Sequence, residues 1–480
     1  ILMIISMKNL NYIQSVIYLN WIILKNIIHT KHLIFLIIGN FMNFQQLYIF
    51  LFLIFSINFL SASSFSEERL QRITSMLDDL VEEKQFPGFV TIITKDGKPI
   101  LKVVNGYKDI DKKIPMKEDA LFRIYSMSKP ITGVALMILV DRGLIKLSDP
   151  ISKFIPEFKN TKVVNEAGDF FDLDRPVTVL DAATHTSGLI YAWLPTETIA
   201  NDIYEEKNLH PYYYLDLEVT ADQTDFSIPA GKPFSNICEF AQELASAPLV
   251  HQPGEKWTYG VGMDLLGCII EKVSGMTFGN FMQENIFDPL GMKDTSFAVP
   301  ESEINRFTSM YTHKGASVGD IQREFNDEIF PDDLILMDSY EESPYLKMNK
   351  VEDGGSGLIS TAEDYIKFGQ MLNDRGSFGE TTILSEEAFT MLSKSYMENF
   401  GLLGVVSLGM GQAICMAKIT NPAFSQFYQS EGSLSWGGAA STIFWADPVE
   451  DIVLVHMTQV LGHPVDLRVD LDRLTYSSKN

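Results

Sequence analysis

Residues Phe122–Gly143 read FRIYSMSKPITGVALMILVDRG. Within this stretch Ser126 and Lys129 stand three residues apart, a spacing that places a hydroxyl and an amine on one face of a helical turn, about 5–6 Å apart at Cβ. Pro130–Arg142 reads as a helical segment and gives the lysine apolar surroundings. A helix running from Ser126 through Val140 would point its first unpaired N–H groups toward the serine and favour negative charge developing there. Desolvation disfavours an ammonium ion, so an amine among such neighbours becomes a usable base and activates the hydroxyl as a nucleophile. A surface cap serine followed by a solvated lysine would spell the same tetrad, so the assignment needs support from elsewhere in the chain. No second Ser-x-x-Lys occurs in the 480 residues.

The composition excludes several classes. An apolar fraction of 46% with 21% charged residues is that of a packed globular protein, not of a disordered or collagen-like chain. A net charge of −24 opposes nucleic-acid binding and docking on anionic lipid by charge alone. The charge is unevenly spread. Ile1–Ser66 contains no Asp or Glu and only Lys8, Lys25 and Lys31, so the remainder carries −27. Met42–Ser64 reads MNFQQLYIFLFLIFSINFLSASS, an apolar Leu47–Leu60 core followed by small residues, and is expected to be a signal peptide spanning 42–63. Residues 1–66 are thus read as a leader, with an over-extended start before Met7 or Met42, and 67–480 as the functional domain. Secretion or delivery to a lumen follows from that reading. An uncleaved anchor is the alternative, because Leu33–Leu60 exceeds the roughly 20 residues needed to span a bilayer. Cys238, Cys268 and Cys415 are too few for a disulfide framework. They allow one bridge with one free thiol, with Cys268 in LLGCII reading as plain core. No zinc-ligand spacing appears, and no metal or cofactor is expected.

Periodicity organises the rest. Glu67–Lys84 has helical spacing and stops at Pro87-Gly88. Phe89–Thr94 and Ile100–Asn105 form a hairpin around Asp96-Gly97, and Thr442–Ala446 and Ile452–Thr458 form a second strand pair. Pro130–Arg142, Met263–Ser274 and Thr361–Asn373 are helical between them. Strands at both ends with helices between predict an α+β fold: an antiparallel sheet flanked by helices and completed by distant parts of the chain, with an inserted, mainly helical lobe. Tyr191–Phe234 and Val318–Glu352 lack regular patterning and are candidate walls of a pocket. Gly315-Ala316-Ser317-Val318-Gly319 matches the Gly-x-Ser-x-Gly nucleophile elbow, but its polar, turn-like flanks do not provide the strand and helix that motif requires.

After FRIYSMSK come, in order, LIKLSDPISKFIPEF, VTVLDAATHTSGL, PLVHQPGEKWTYG, DLLGCIIEKVSG, DPLGMKDTSF, GGSGLISTAEDYIKF and WGGAASTIFWADP. This series, from about Glu67 to Thr458, resembles the penicillin-recognising serine hydrolases with a β-lactamase/transpeptidase-like fold, in particular class C β-lactamases and family VIII carboxylesterases. The resemblance implies that Ser126 is the nucleophile, Lys129 the amine beside it, and Tyr259 the proton-exchanging tyrosine. It places Trp436-Gly437-Gly438 on the strand edging the substrate. The backbone N–H groups of Ser126 and Ala439 would then form an oxyanion hole. His185 is expected to serve a turn, and Gly354-Gly355-Ser356-Gly357 to supply a permissive backbone beside the pocket.

Two departures from the lactamase pattern point to substrate. Trp436 stands where a lysine is usual, and Tyr259-Gly260-Val261 lacks the asparagine of Tyr-x-Asn. Both exchange polar anchors for apolar surface, which suits a tolerant site rather than one built to pair a carboxylate. The implied activity is carboxylic ester hydrolysis through an acyl-enzyme on a small-molecule ester or amide. A β-lactamase, peptidase or acyltransferase on the same scaffold is the alternative. A silent binding protein would have lost Ser126, Lys129 or Tyr259, and all three are present.

Overall fold

The computed structural model describes Phe65–Asn480 apart from residues 193–195, 197, 210–233, 314–333, 348–350, 403–404 and 463–466. The expected Met42–Ser63 signal peptide, most of the Tyr191–Phe234 segment and the Ser317 motif lie outside the described residues. The main elements are α1 (Glu67–Glu82), β1 (Gly88–Lys95), β2 (Lys98–Asp109), β3 (Ile114–Pro115), α2 (Ser128–Asp141), α3 (Ile237–Leu244), α4 (Gly262–Ser274), α5 (Ala362–Asn373), β4 (Met397–Glu398), β5 (Met410–Ala413), β6 (Met416–Ile419), β7 (Leu434–Gly438), β8 (Thr442–Asp447), β9 (Ile452–Met457) and α6 (Leu467–Ser477).

The first hairpin turns on Asp96 and Gly97, both at positive φ, which joins β1 to β2 as the Asp-Gly pair predicts. Residue β1 Val90 pairs with Met457 and Lys95 with Ile452, so the two ends of the chain close one antiparallel sheet. The strand order is β4-β5-β6-β7-β8-β9-β1-β2-β3. Side chains alternate between two layers. Phe89, Ile93, Ile443, Trp445, Ile452 and Leu454 face α1 and α6, where Leu70, Ile73, Leu77, Leu467 and Leu471 are buried. Val90, Ile92, Phe444, Ala446, Val453 and Val455 face the other way, into the core shared with α2, α4 and α5. Burial on both faces explains why β8 and β9 read as nearly continuous apolar runs. The helices between β3 and β4 form the inserted part, so the α+β architecture predicted from the sequence, an antiparallel sheet flanked by helices, is the observed one.

Two local readings change. The helix over Phe122–Gly143 begins at Ser128, not at Ser126, because buried Tyr125 takes φ 42° and turns the chain into a tight 3-10 turn over Tyr125–Met127. Pro130 fits the first turn of α2, where its missing N–H has no helical partner. Cys268 is buried, but it is also bonded to Cys238, linking α3 to α4 where these helices pack, while Cys415 is free and buried. No helix among the described residues is long and apolar enough to cross a membrane.

His456 on β9 is buried, its Nδ1 2.7 Å from Thr91 Oγ1, and burial pushes its imidazole down to about 3. The unfolded chain binds a proton on this residue at a pKa of about 6.5, so stability is full above that pH and is lost as pH falls from there toward 3. Between pH 7 and pH 5 this one group is expected to remove about 2 kcal/mol. Urea midpoints at the two pH values should therefore converge more closely in His456→Gln than in the parent. An unchanged gap would contradict the assignment.

Candidate active site

The tight turn over Tyr125–Met127 holds Ser126 at the start of α2. A left-handed conformation in a buried tyrosine is strained, and such strain persists only where the surroundings fix it. The Tyr125 hydroxyl donates to Met310 Sδ at 2.9 Å, and the Tyr365 hydroxyl donates to Met127 O at 2.8 Å. Lys129, the second residue of α2, is fully buried. Its Nζ donates to Ser126 Oγ at 3.0 Å and to the carbonyl of Gly355 at 2.8 Å. The Gly354–Gly357 turn is stitched to α2 by two further bonds, Thr132 Oγ1 to Gly354 O (2.7 Å) and Leu358 N to Ser128 Oγ (3.1 Å).

Tyr259 precedes α4, and its hydroxyl lies 2.7 Å from Ser126 Oγ. Lys129 Nζ stands 4.8 Å from the centroid of the same ring. Ser126, Lys129 and Tyr259 are thus brought together from two segments of the chain. His185, the turn residue, sits at φ 56° and is buried. Its carbonyl accepts from Thr258 N (2.8 Å) and its Nδ1 from Gly260 N (3.3 Å), which makes Nδ1 the acceptor and leaves the ring proton of the neutral form on Nε2. Burial, with the charge of Lys129 nearby, holds this imidazole well below its ordinary range. It is a neutral wedge, 4.7 Å from the Tyr259 ring, which fixes the tyrosine loop.

An aromatic wall surrounds the hydroxyls. Trp436 stacks on His185 (6.3 Å, 13°) and lies 6.3 Å from Tyr259, and Trp257 stacks on Tyr259 at 5.9 Å. Phe400 backs Trp257 at 5.2 Å, and Trp257 Nε1 donates to Gln412 Oε1 at 2.9 Å. From the irregular Tyr191–Phe234 segment, Tyr191 packs 5.2 Å from Tyr259, with Lys129 Nζ 5.4 Å from its ring. Val261, where the lactamase pattern has asparagine, is fully buried and presents no polar group.

Strand β7 reaches the site edge-on. A side chain at Gly438 would collide with Thr442 Oγ1 and the Ile124 carbonyl, so the glycine lets β7 lie directly against the turn that carries Ser126. Ala439 follows in an exposed turn. The Ser126 and Ala439 N–H groups therefore belong to adjoining segments. Chemically, the arrangement offers a hydroxyl held between a phenol and an amine, against an apolar wall. Sequence reading missed the Gly355 carbonyl, Trp257 and Gln412, whereas Tyr191 opens a segment expected to wall a pocket. Trp257 could have been found, since it lies two residues before Tyr259 in a matched motif.

A beta-lactamase family profile matches residues 73–476, and the chain belongs to that family. It is thereby an enzyme of the serine-hydrolase kind. The chain is 30% identical over 395 residues to Uncharacterized protein MT1414 of Mycobacterium tuberculosis, covering 80% of this chain and 87% of that one. It is 28% identical over 377 residues to Esterase EstB of Burkholderia gladioli, covering 78% and 86%. The solved structure of "EstCE1, a hydrolase with promiscuous acyltransferase activity" superposes with a TM-score of 0.64 over 85% of this chain and 98% of that one, at 21% identity, a likeness of fold.

The two glycines of β7 make different demands. A Cβ at Gly437 would meet only Thr442 O, at 3.3 Å. Gly438→Ala is expected to lower kcat/KM for a chromogenic acyl substrate on the order of 10- to 100-fold, the effect of small misplacements in an active site. Gly437→Ala should change it far less. Equal losses in the two variants would show that the approach of β7 to Ile124 is not what matters.

Proposed function

We propose that the protein hydrolyses carboxylic esters of small molecules through an acyl-enzyme on Ser126. The observation that carries this reading is the position of Ser126 Oγ, 2.7 Å from Tyr259 Oη and 3.0 Å from Lys129 Nζ. The serine hydroxyl gives its proton to the Tyr259–Lys129 couple as its oxygen attacks the ester carbonyl. The Ser126 and Ala439 N–H groups would receive the oxyanion, and a donor of this kind is typically worth about 2.7–4 kcal/mol in the barrier. Collapse expels the alcohol, which takes back the proton from the couple. Water then gives a proton to the couple, attacks the acyl group and releases the acid, and Ser126 regains its hydrogen.

The aromatic wall supports esters over β-lactams. Trp436 offers ring surface where a carboxylate anchor would stand, and buried Val261 cannot supply an amide. The similarity to Esterase EstB agrees with this preference. For location, the Cys238–Cys268 bridge supports the secreted or lumenal reading of the leader, since such bonds persist in oxidising compartments.

Purified protein should turn over short-chain p-nitrophenyl esters with a higher kcat/KM than a chromogenic cephalosporin. Ser126→Ala is expected to lower ester turnover on the order of 10³-fold or more, and Tyr259→Phe on the order of 10²-fold or more. Full activity in Ser126→Ala refutes the nucleophile. Cephalosporin turnover that rivals ester turnover refutes the substrate preference.

A further inference from the structure

Two carboxyl groups lie in the interior close to Lys129. Asp264, in the first turn of α4, and Asp353, immediately before the Gly354–Gly357 turn, are both fully buried. They are unequally supplied with donors. Asp353 Oδ1 accepts from Gly355 N (2.6 Å) and Ser356 N (3.1 Å), and its Oδ2 accepts from the Ser356 hydroxyl. Neither oxygen of Asp264 has a well-formed hydrogen bond among the described residues; the one N–H near enough to pull on it is that of Gly355, which Asp353 Oδ1 already holds at 2.6 Å. What Asp264 faces is Asp353.

Gly355 marks where these groups converge. A Cβ there would lie 2.9 Å from Tyr191 Oη, 3.2 Å from Asp353 Oδ1 and 3.5 Å from Asp264 Oδ2. Gly354 is equally tight against α4, since a Cβ there would meet the Met263 carbonyl at 2.6 Å. The turn whose Gly355 carbonyl binds Lys129 Nζ is therefore clamped between Asp353 and the start of α4.

Two carboxyl groups converging on one glycine in a dry interior disfavour double ionisation, and the one poorer in donors is the one that keeps its proton. Burial, reinforced by the Asp353 charge, pushes the Asp264 carboxyl well above the usual carboxylate range, against the opposing pull of Lys129 and of the Gly355 N–H. A protonated Asp264 has one donor to give, and Asp353 is the acceptor it faces.

We propose that Asp264 is a positioning residue in its neutral acid form: it donates a hydrogen bond to Asp353, completes the clamp on the Gly354–Gly355 turn, and leaves the pair with a single negative charge opposite Lys129. An uncharged pair would leave the buried ammonium without a counter-charge. One shared proton matches the pair to the lysine that holds Ser126. The inference rests on Lys129 acting in the proton couple described above. Asp264 touches no reacting atom and works through the Gly355 carbonyl.

The test is an infrared spectrum in D2O near neutral pH of the full chain and of Asp264→Asn, together with kinetics on a p-nitrophenyl ester. The difference spectrum should contain a carboxylic-acid carbonyl band that Asp264→Asn lacks. Asparagine keeps a neutral donor toward Asp353, so kcat should stay within about threefold, whereas Asp264→Leu, with no donor, should lose on the order of 10- to 100-fold in kcat with KM little changed. Absence of the band overturns the proposal, as does Asp264→Asn falling as far as Asp264→Leu, or Asp264→Leu matching the parent. If Asp264→Leu fails to fold, the infrared comparison with Asp264→Asn still decides. The band is read without turnover, so failure of this inference is distinguishable from failure of the ester-hydrolase reading.

Discussion

A lysine side chain taken wholly out of water must find partners for its nitrogen, because an uncompensated buried charge costs several kcal/mol. Lys129 finds two, the Gly355 carbonyl and the Ser126 hydroxyl, and the surrounding architecture serves that contact. The apolar length of α2 anchors the lysine in the core. The strained Tyr125 turn presents the serine one turn earlier. Three bonds from the Gly354–Leu358 segment to Lys129, Thr132 and Ser128 lock carbonyl and helix in register. Tyr259 closes the arrangement from the other side, fixed through Thr258, Gly260 and the ring of His185.

The sheet supplies what the helices cannot. Its two ends come from opposite ends of the chain, and β7 runs from the packed interior of the sheet to the edge of the serine turn. Its central strands β1, β8 and β9 are buried on both faces, and such a layer deforms little. The approach of Gly438 to Ile124 is therefore set by the whole core, not by a loop. The Cys238–Cys268 bond acts likewise on the helical part, tying α3 to the helix that follows Tyr259.

Much of this was legible in the residues. The Asp96-Gly97 turn and the alternating runs identified both strand pairs, and the motif series located Ser126, Lys129, Tyr259 and Trp436-Gly437-Gly438. What escaped the sequence shares a physical character. The Gly355 acceptor is a main-chain carbonyl, and residue type does not reveal where a carbonyl points. Tyr125 gave no sign of its left-handed backbone, so the helix was expected to start two residues early. Asp264 reads as an ordinary acidic residue at a helix start, favourable to the dipole, until Asp353 is seen to face it from 89 positions along the chain. Cys268 looked like core because it is core, and its bond to Cys238 depends on how two helices pack.

The central claim is that Ser126 carries the acyl group. It is tested most directly by intact-mass measurement of the protein acid-quenched during turnover of a slowly released p-nitrophenyl ester, followed by mapping of the peptide Ile124–Arg142. The account predicts one acyl increment per chain, located on Ser126. An increment on another serine, such as Ser317 or Ser356, or turnover with no covalent intermediate under conditions where release limits the rate, would contradict it.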